Sequence, residues 1–126
     1  MTQTFSAPTV SLPRLLLHLE GFALFVGAIA VYTQQEGSLW LFLALLLVPD
    51  LSMVGYLRNP RIGALTYNWV HTYVVPAVFL ALMFMIDSEI GVQTALIWFA
   101  HIGMDRMLGY GLKYPTEFKS THLGRV

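Results

Sequence analysis

Apolar residues in this chain gather in four long runs, at about residues 12–33, 39–57, 65–86 and 90–110. Each run approaches the roughly 20 consecutive apolar residues that a helix needs to cross a bilayer. Between them lie QQEGS (34–38), RNPRIG (58–63) and DSEIG (87–91), short polar turns of the kind that join antiparallel neighbours. The pattern predicts an all-α integral membrane protein: an antiparallel four-helix transmembrane bundle with short loops. Residues 1–126 then form a single four-span domain, with 111–126 as a C-terminal juxtamembrane tail.

Composition agrees. Hydrophobic residues make up 56% of the chain and charged residues 11%, against about 45–50% and 25% in soluble domains, and the mean hydropathy is +0.64. Arg14, Arg58, Arg61, Lys113, Lys119 and Arg125 all flank the runs on one side, whereas the other side carries Glu36, Asp87 and Glu89 and no base. The positive-inside rule therefore places both termini in the cytoplasm, which four spans require. The N-terminal MTQTFSAPTVSLPR has no basic residue ahead of its apolar run and reads as a retained tail rather than a secretory signal. With no cysteine, thiolate metal sites, disulfides and cysteine nucleophiles are excluded, and the zero net charge gives no reason to expect nucleic acid as a partner.

Polar residues inside the spans carry the chemistry, because they are costly in hydrocarbon. They are Glu20 in the first span, Asp50 in the second, Asn68 and His71 in the third, and His101, Asp105 and Arg106 in the fourth. Counted from the cytoplasmic end at about 1.5 Å per residue, the ionisable groups lie roughly 8–14 Å deep. The outer halves, FALFVGAIAV, LFLALLL and VVPAVFLALMFMI, are almost wholly apolar. The spans run alternately up and down, so this agreement in depth predicts one cluster that opens to the cytoplasm.

Spacing supports the cluster. His101 and Asp105 stand at i and i+4, Asn68 and His71 at i and i+3, so each pair shares a helix face. Pro49 loosens the second helix beside Asp50 and frees carbonyls there. Two imidazoles and several carboxylates form a ligand set for a divalent metal ion, zinc, manganese or iron. Asp50, His71, His101 and Asp105 are the expected metal ligands, with Glu20 as general base or further ligand. A bound metal lowers the pKa of its water, giving a nucleophile without serine or cysteine.

Arg106 is expected either to clamp a substrate phosphate or to anchor in lipid headgroups. Tyr67 flanks the site, and His122 in the tail is a candidate additional ligand or lid residue. Each residue also has a plainer explanation, as an interhelical hydrogen bond or a structural ion pair. Gly21 and Gly27 are candidates for close helix approach.

PDLSMVGYL (49–57), IGALTYNWVHTYVVP (62–76) and the block from LIWFAHIGMDRMLGYGLKYP to THLG (96–124) resemble the bacterial membrane family catalogued as domain of unknown function 4260. The resemblance implies a small four-span protein and carries no activity; the expected location is the cell inner (cytoplasmic) membrane. More distantly, Pro49–Asp50, His71 and His101 with Asp105 match in order the LexA-regulated membrane-bound metal-dependent hydrolases. Ser52 stands where that family has a second acid, and Asn68 with His71 where it has paired histidines, so one metal rather than two is implied.

The leading expectation is an intramembrane, cytoplasm-facing metal site, hydrolytic toward a lipid or other amphiphilic substrate that enters laterally from the bilayer. A b-type haem or electron carrier ligated by His71 and His101 is the alternative. An ion relay through Glu20, Asp50 and Asp105 is a third. A homodimer would suit so small a membrane domain.

Overall fold

A computed structural model describes residues 11–114 and 121–125, and these are helical with no strand. The long elements are α1 (Leu12–Gln34), α2 (Leu39–Leu46), a 3₁₀ segment (Val48–Leu57), α3 (Pro60–His71), α4 (Val74–Met85) and α5 (Glu89–Leu108); a single turn, α6 (His122–Arg125), follows. Local chemistry sets the starts. Ser11, Ser38, Asn59 and Ser88 each accept a hydrogen bond from a backbone N–H in the first turn of α1, α2, α3 and α5, which satisfies a donor the helix leaves open. Gly109 ends α5 at φ 97°, a left-handed conformation that glycine adopts without a Cβ clash.

Two predicted spans are interrupted, each at a proline. The run 39–57 is α-helical only to Leu46 and continues as 3₁₀ from Val48, because Pro49 has no N–H for the α-helical ladder. The run 65–86 begins earlier than expected, at Pro60, and breaks at Thr72, whose ψ of 150° is extended. Pro76 explains the break, since its ring would clash with the carbonyl four residues back, that of Thr72. α3 and α4 consequently meet at a 41° bend.

Two helical stretches, Leu12–Gln34 and Leu39–Leu57, are long and apolar enough to cross a membrane, and a third is added if the bent pair counts as one span. α5 falls outside that measure although it has 20 residues. Its Gln93, His101, Asp105 and Arg106 are buried, and α1, α2 and α4 pack around it. α5 is thus the interior helix, whereas α2 buries no residue and exposes Leu39, Trp40 and Leu43.

Glycines bring α1 and α5 together. A Cβ on Gly103 would stand 2.8 Å from the Gly21 carbonyl oxygen and from the Phe25 nitrogen, and one on Gly21 would meet Arg106 Cβ at 2.4 Å. Gly27, by contrast, faces open space. Contacts run from His18 with Met107 to Gln35 with Gln93, so the two helices point in opposite directions. Gly103→Val should destabilise the protein by about 2 kcal/mol, because backbone atoms cannot move aside as a side chain would. Gly27→Ala should leave thermal unfolding in detergent unchanged or raise its midpoint slightly, glycine being the weaker helix former. Equal midpoints for wild type and Gly103→Val would contradict this packing.

Candidate metal centre

Four side chains from three elements converge where these breaks occur. Asp50 stands in the first turn of the 3₁₀ segment, His71 ends α3, and His101 and Asp105 share a face of α5 one turn apart. His71 Nε2 lies 3.2 Å from Asp50 Oδ1, 3.6 Å from Asp105 Oδ2 and 3.1 Å from His101 Nε2. His101 Nε2 lies 3.1 Å from Asp50 Oδ1 and 3.2 Å from Asp105 Oδ2. One ligand atom from each residue falls within 4.8 Å of all the others. A tetrahedron with metal–ligand bonds of about 2.0–2.1 Å has edges of about 3.3 Å, so the separations of 3.1–3.6 Å are ones at which these residues could hold a single ion.

Hydrogen bonding orients the His71 imidazole as that role would need. His71 Nδ1 is 2.9 Å from the Tyr67 carbonyl oxygen, which only accepts, so Nδ1 carries a hydrogen and donates it. Neutral His71 then presents a lone pair at Nε2 to two carboxylates and to the other imidazole. Metal-ligating histidines are commonly fixed this way, through the second ring nitrogen. His101 Nδ1 is buried without a hydrogen bond among the described residues, and the backbone of Leu46 interacts with its ring. Pro49 offers no N–H to Leu46, and the Asp50 N–H turns to Leu47, so the break at Pro49 helps to shape this ring's surroundings. Four lone-pair atoms at these distances repel one another unless protons or a metal ion lie between them.

Burial is unequal. His71, His101 and Asp105 are enclosed, whereas the Asp50 side chain is 35% exposed. The cluster therefore opens on the Asp50 side.

The other expected site residues are placed differently. Glu20 lies on the exposed face of α1, outside the ligand group, so α1 supplies none of the four ligands. Arg106 is buried, which rules out its reaching headgroups as a membrane anchor. It donates to the carbonyls of His71 (3.0 Å) and Tyr110 (2.9 Å), and its guanidinium lies 5.6 Å from the centroid of the Tyr73 ring. Tyr67 is buried and stacks on His71, with ring centroids 3.7 Å apart. Asn68 pairs through both ends of its amide with the backbone of Lys113, at 2.7 and 2.6 Å, so it straps down the segment after α5. Lys119, which the sequence marks as a flanking base, lies outside the described residues.

His122 is likewise outside the ligand group. Its Nδ1 accepts the Leu112 N–H at 2.7 Å, and the Leu112 carbonyl accepts the His122 N–H. The tail thus returns to the bundle, where Leu123 is buried and Arg14 Nε donates to its carbonyl. Burial, helped by the positive charge of Arg106, pushes the His122 imidazole below its ordinary pKa of 6.5. The released tail binds that proton more readily, so docking is fully present above about pH 6.5 and weakens as pH falls through the lowered value. Hydrogen exchange at the Leu112 amide, corrected for its intrinsic pH dependence, should accelerate on acidification. Protection constant between pH 7.5 and 5 would show that His122 does not hold the tail.

Two residues escape the sequence reading. His18, two positions before Glu20, has its Nδ1 2.9 Å from the Met107 carbonyl oxygen and so ties α1 to the end of α5. Lys113, expected only as a flanking base, is buried with its Nζ 4.6 Å from the centroid of the Tyr67 ring. Burial lowers its pKa, against the opposing pull of Asp105 and Asp50. Its place directly after GYGL and before YP was the available signal.

The model of the family described as Domain of unknown function (DUF4260) matches residues 14–126. The chain belongs to this family. No curated protein and no solved structure matches it. In this DUF4260 member the match spans all four residues of the His/Asp cluster, Lys113 and His122. The family carries no activity with it, and the likeness to metal-dependent hydrolases rests on residue order alone.

Proposed function

We propose that this DUF4260 protein is a multi-pass protein of the cytoplasmic membrane that holds one divalent cation at Asp50, His71, His101 and Asp105. In this reading α1, α2 with its 3₁₀ extension, the bent α3–α4 pair and α5 form four antiparallel spans, with both termini cytoplasmic. α5 crosses although it is polar, because its neighbours shield it. One observation carries the proposal: four donor atoms converge at coordination spacing, with His71 held by Tyr67 in the tautomer that aims a lone pair at the centre.

The geometry favours a metal ion over haem. Axial imidazoles on opposite sides of a haem iron stand about 4 Å apart, twice a bond of about 2 Å, with the macrocycle between them. His71 and His101 are closer, at 3.1 Å between Nε2 atoms, and two carboxylates share the space. That arrangement suits neighbouring positions on one ion. The partial exposure of Asp50 favours a catalytic over a sealed structural site, since catalytic metals keep a way in for water or substrate. A cation here would supply Lewis acidity and an activated water for hydrolysis of a lipid or amphiphile. Arg106 acts in this scheme by positioning the end of α3 rather than by gripping substrate.

Purification in mild detergent, followed by elemental analysis and a visible spectrum of wild type and His101→Ala, tests the proposal. Zinc, manganese or non-haem iron at one ion per chain, lost in His101→Ala, is the expected result. A Soret band would transfer the histidines to haem, and absence of any metal would overturn the reading.

A further inference from the structure

Away from the ligand atoms, α3 meets the segment after α5 along a groove with two chemically different ends. A space of about 300 Å³ is bounded by Arg61, Leu65, Asn68 and Lys113. A second, of about 330 Å³, shares Leu65 and Asn68 and extends to Trp69 and Leu112. Both ends of the Asn68 amide are committed to the Lys113 backbone, so the charge of the groove comes from its two cations. No acid lines either space among the described residues. Toward the other end the surface is apolar, with Leu65 and Trp69 both exposed.

We propose that this groove binds an anionic phospholipid, with exposed Arg61 at the headgroup phosphate, buried Lys113 adding positive charge from beneath the groove, and Leu65 and Trp69 lying against the start of an acyl chain. Tryptophan is favoured at the membrane–water boundary, where an apolar body meets a wet edge. Basic residues there attract anionic lipids, each contributing about fivefold in affinity. A soluble phosphate would find the cations but would leave the apolar end empty. The lipid fits both.

The groove also abuts the metal centre. Lys113 Nζ lies 4.6 Å from the Tyr67 centroid, and Tyr67 stacks on His71 with an interplanar angle of 8°. A single aromatic ring, that of Tyr67, therefore separates the cation beneath this groove from the four-residue cluster. The lipid site itself does not depend on a metal being present.

The test is native mass spectrometry of delipidated protein titrated with phosphatidylglycerol, phosphatidylcholine of the same chains, and dihexanoyl phosphatidylglycerol. The long-chain anionic lipid should bind about tenfold tighter than either of the others. Arg61→Gln, an exposed substitution that leaves the packing untouched, should weaken it about fivefold, and Arg61→Gln with Lys113→Gln about 25-fold. Lys113→Arg should retain binding. Equal affinity for the two long-chain lipids, or unchanged binding by Arg61→Gln, would overturn the proposal. Short-chain lipid bound as tightly as long-chain would make this a bare anion site and overturn the lipid assignment. Metal content of the same samples reports separately on the ligand cluster.

Discussion

Asp105→Asn should lower the affinity for the divalent cation several hundredfold, while Asp50→Asn costs distinctly less. Structural zinc sites with four ligands bind with about 10–16 kcal/mol, so an average ligand accounts for about 3–4 kcal/mol, or several hundredfold in affinity. Asparagine keeps the shape of aspartate and an oxygen at the same place but removes the negative charge. At Asp105, which is buried and 3.2 Å from His101 Nε2, water cannot replace that charge. Asp50 is 35% exposed, and a solvent oxygen can substitute there. Competition with a chromophoric chelator would rank the affinities as wild type, Asp50→Asn, then Asp105→Asn. If Asp105→Asn bound metal as tightly as wild type, the buried carboxylate would be a hydrogen-bond acceptor for protonated histidines, not a ligand.

The convergence of Asp50, His71, His101 and Asp105 was legible in the sequence because it rests on local rules. His101 and Asp105 share a face at i and i+4 wherever a helix forms. Charged or imidazole side chains within apolar runs are conspicuous, and Pro49 beside Asp50 signalled the loosened backbone. Depth along a span says nothing, however, about direction around it. Glu20 matches the others in depth, yet it is the immediate neighbour of Gly21, which is the residue pressed against α5. One residue is about 100° of helix, enough to turn Glu20 outward. Gly27 fails for a similar reason, since it faces open space on the same helix.

The remaining differences are tertiary. Pro76 lies in a run so apolar that the whole of 65–86 reads as one helix, yet its ring ends α3 at His71 and thereby frees the carbonyls of Val70 and His71. Those carbonyls find donors elsewhere in sequence: Trp98 Nε1 binds Val70 at 2.7 Å, and Arg106 binds His71. Lys113 reaches Tyr67 only because Gly109 turns the chain and Asn68 captures the segment beyond it. Such pairings join residues 28 to 45 positions apart, which no helical or strand periodicity encodes.

Arg106→Met should destabilise the protein by about 3 kcal/mol, and the damage should extend to metal binding. The substitution keeps much of the apolar stem but leaves the carbonyls of His71 and Tyr110 without this donor. The His71 carbonyl is the buried one of the two, and stranding it costs about 1–3 kcal/mol, with lost packing of the guanidinium against Tyr73 added to that. For a chain of this size that corresponds to roughly a 10 °C fall in the unfolding midpoint. Arg106→Lys should recover only part of the loss, because a single ammonium on a flexible stem replaces a planar fork that spans two acceptors. His71 is both a member of the proposed ligand set and the residue whose carbonyl Arg106 holds, so loosening that end of α3 would displace the imidazole nitrogen aimed at the cluster without touching it. Thermal unfolding and metal affinity are therefore expected to fall together in Arg106→Met. A phosphate clamp behaves otherwise: its loss would spare both and would appear only in the handling of substrate. An unfolding midpoint within a degree or two of wild type, with metal affinity intact, would return Arg106 to that role.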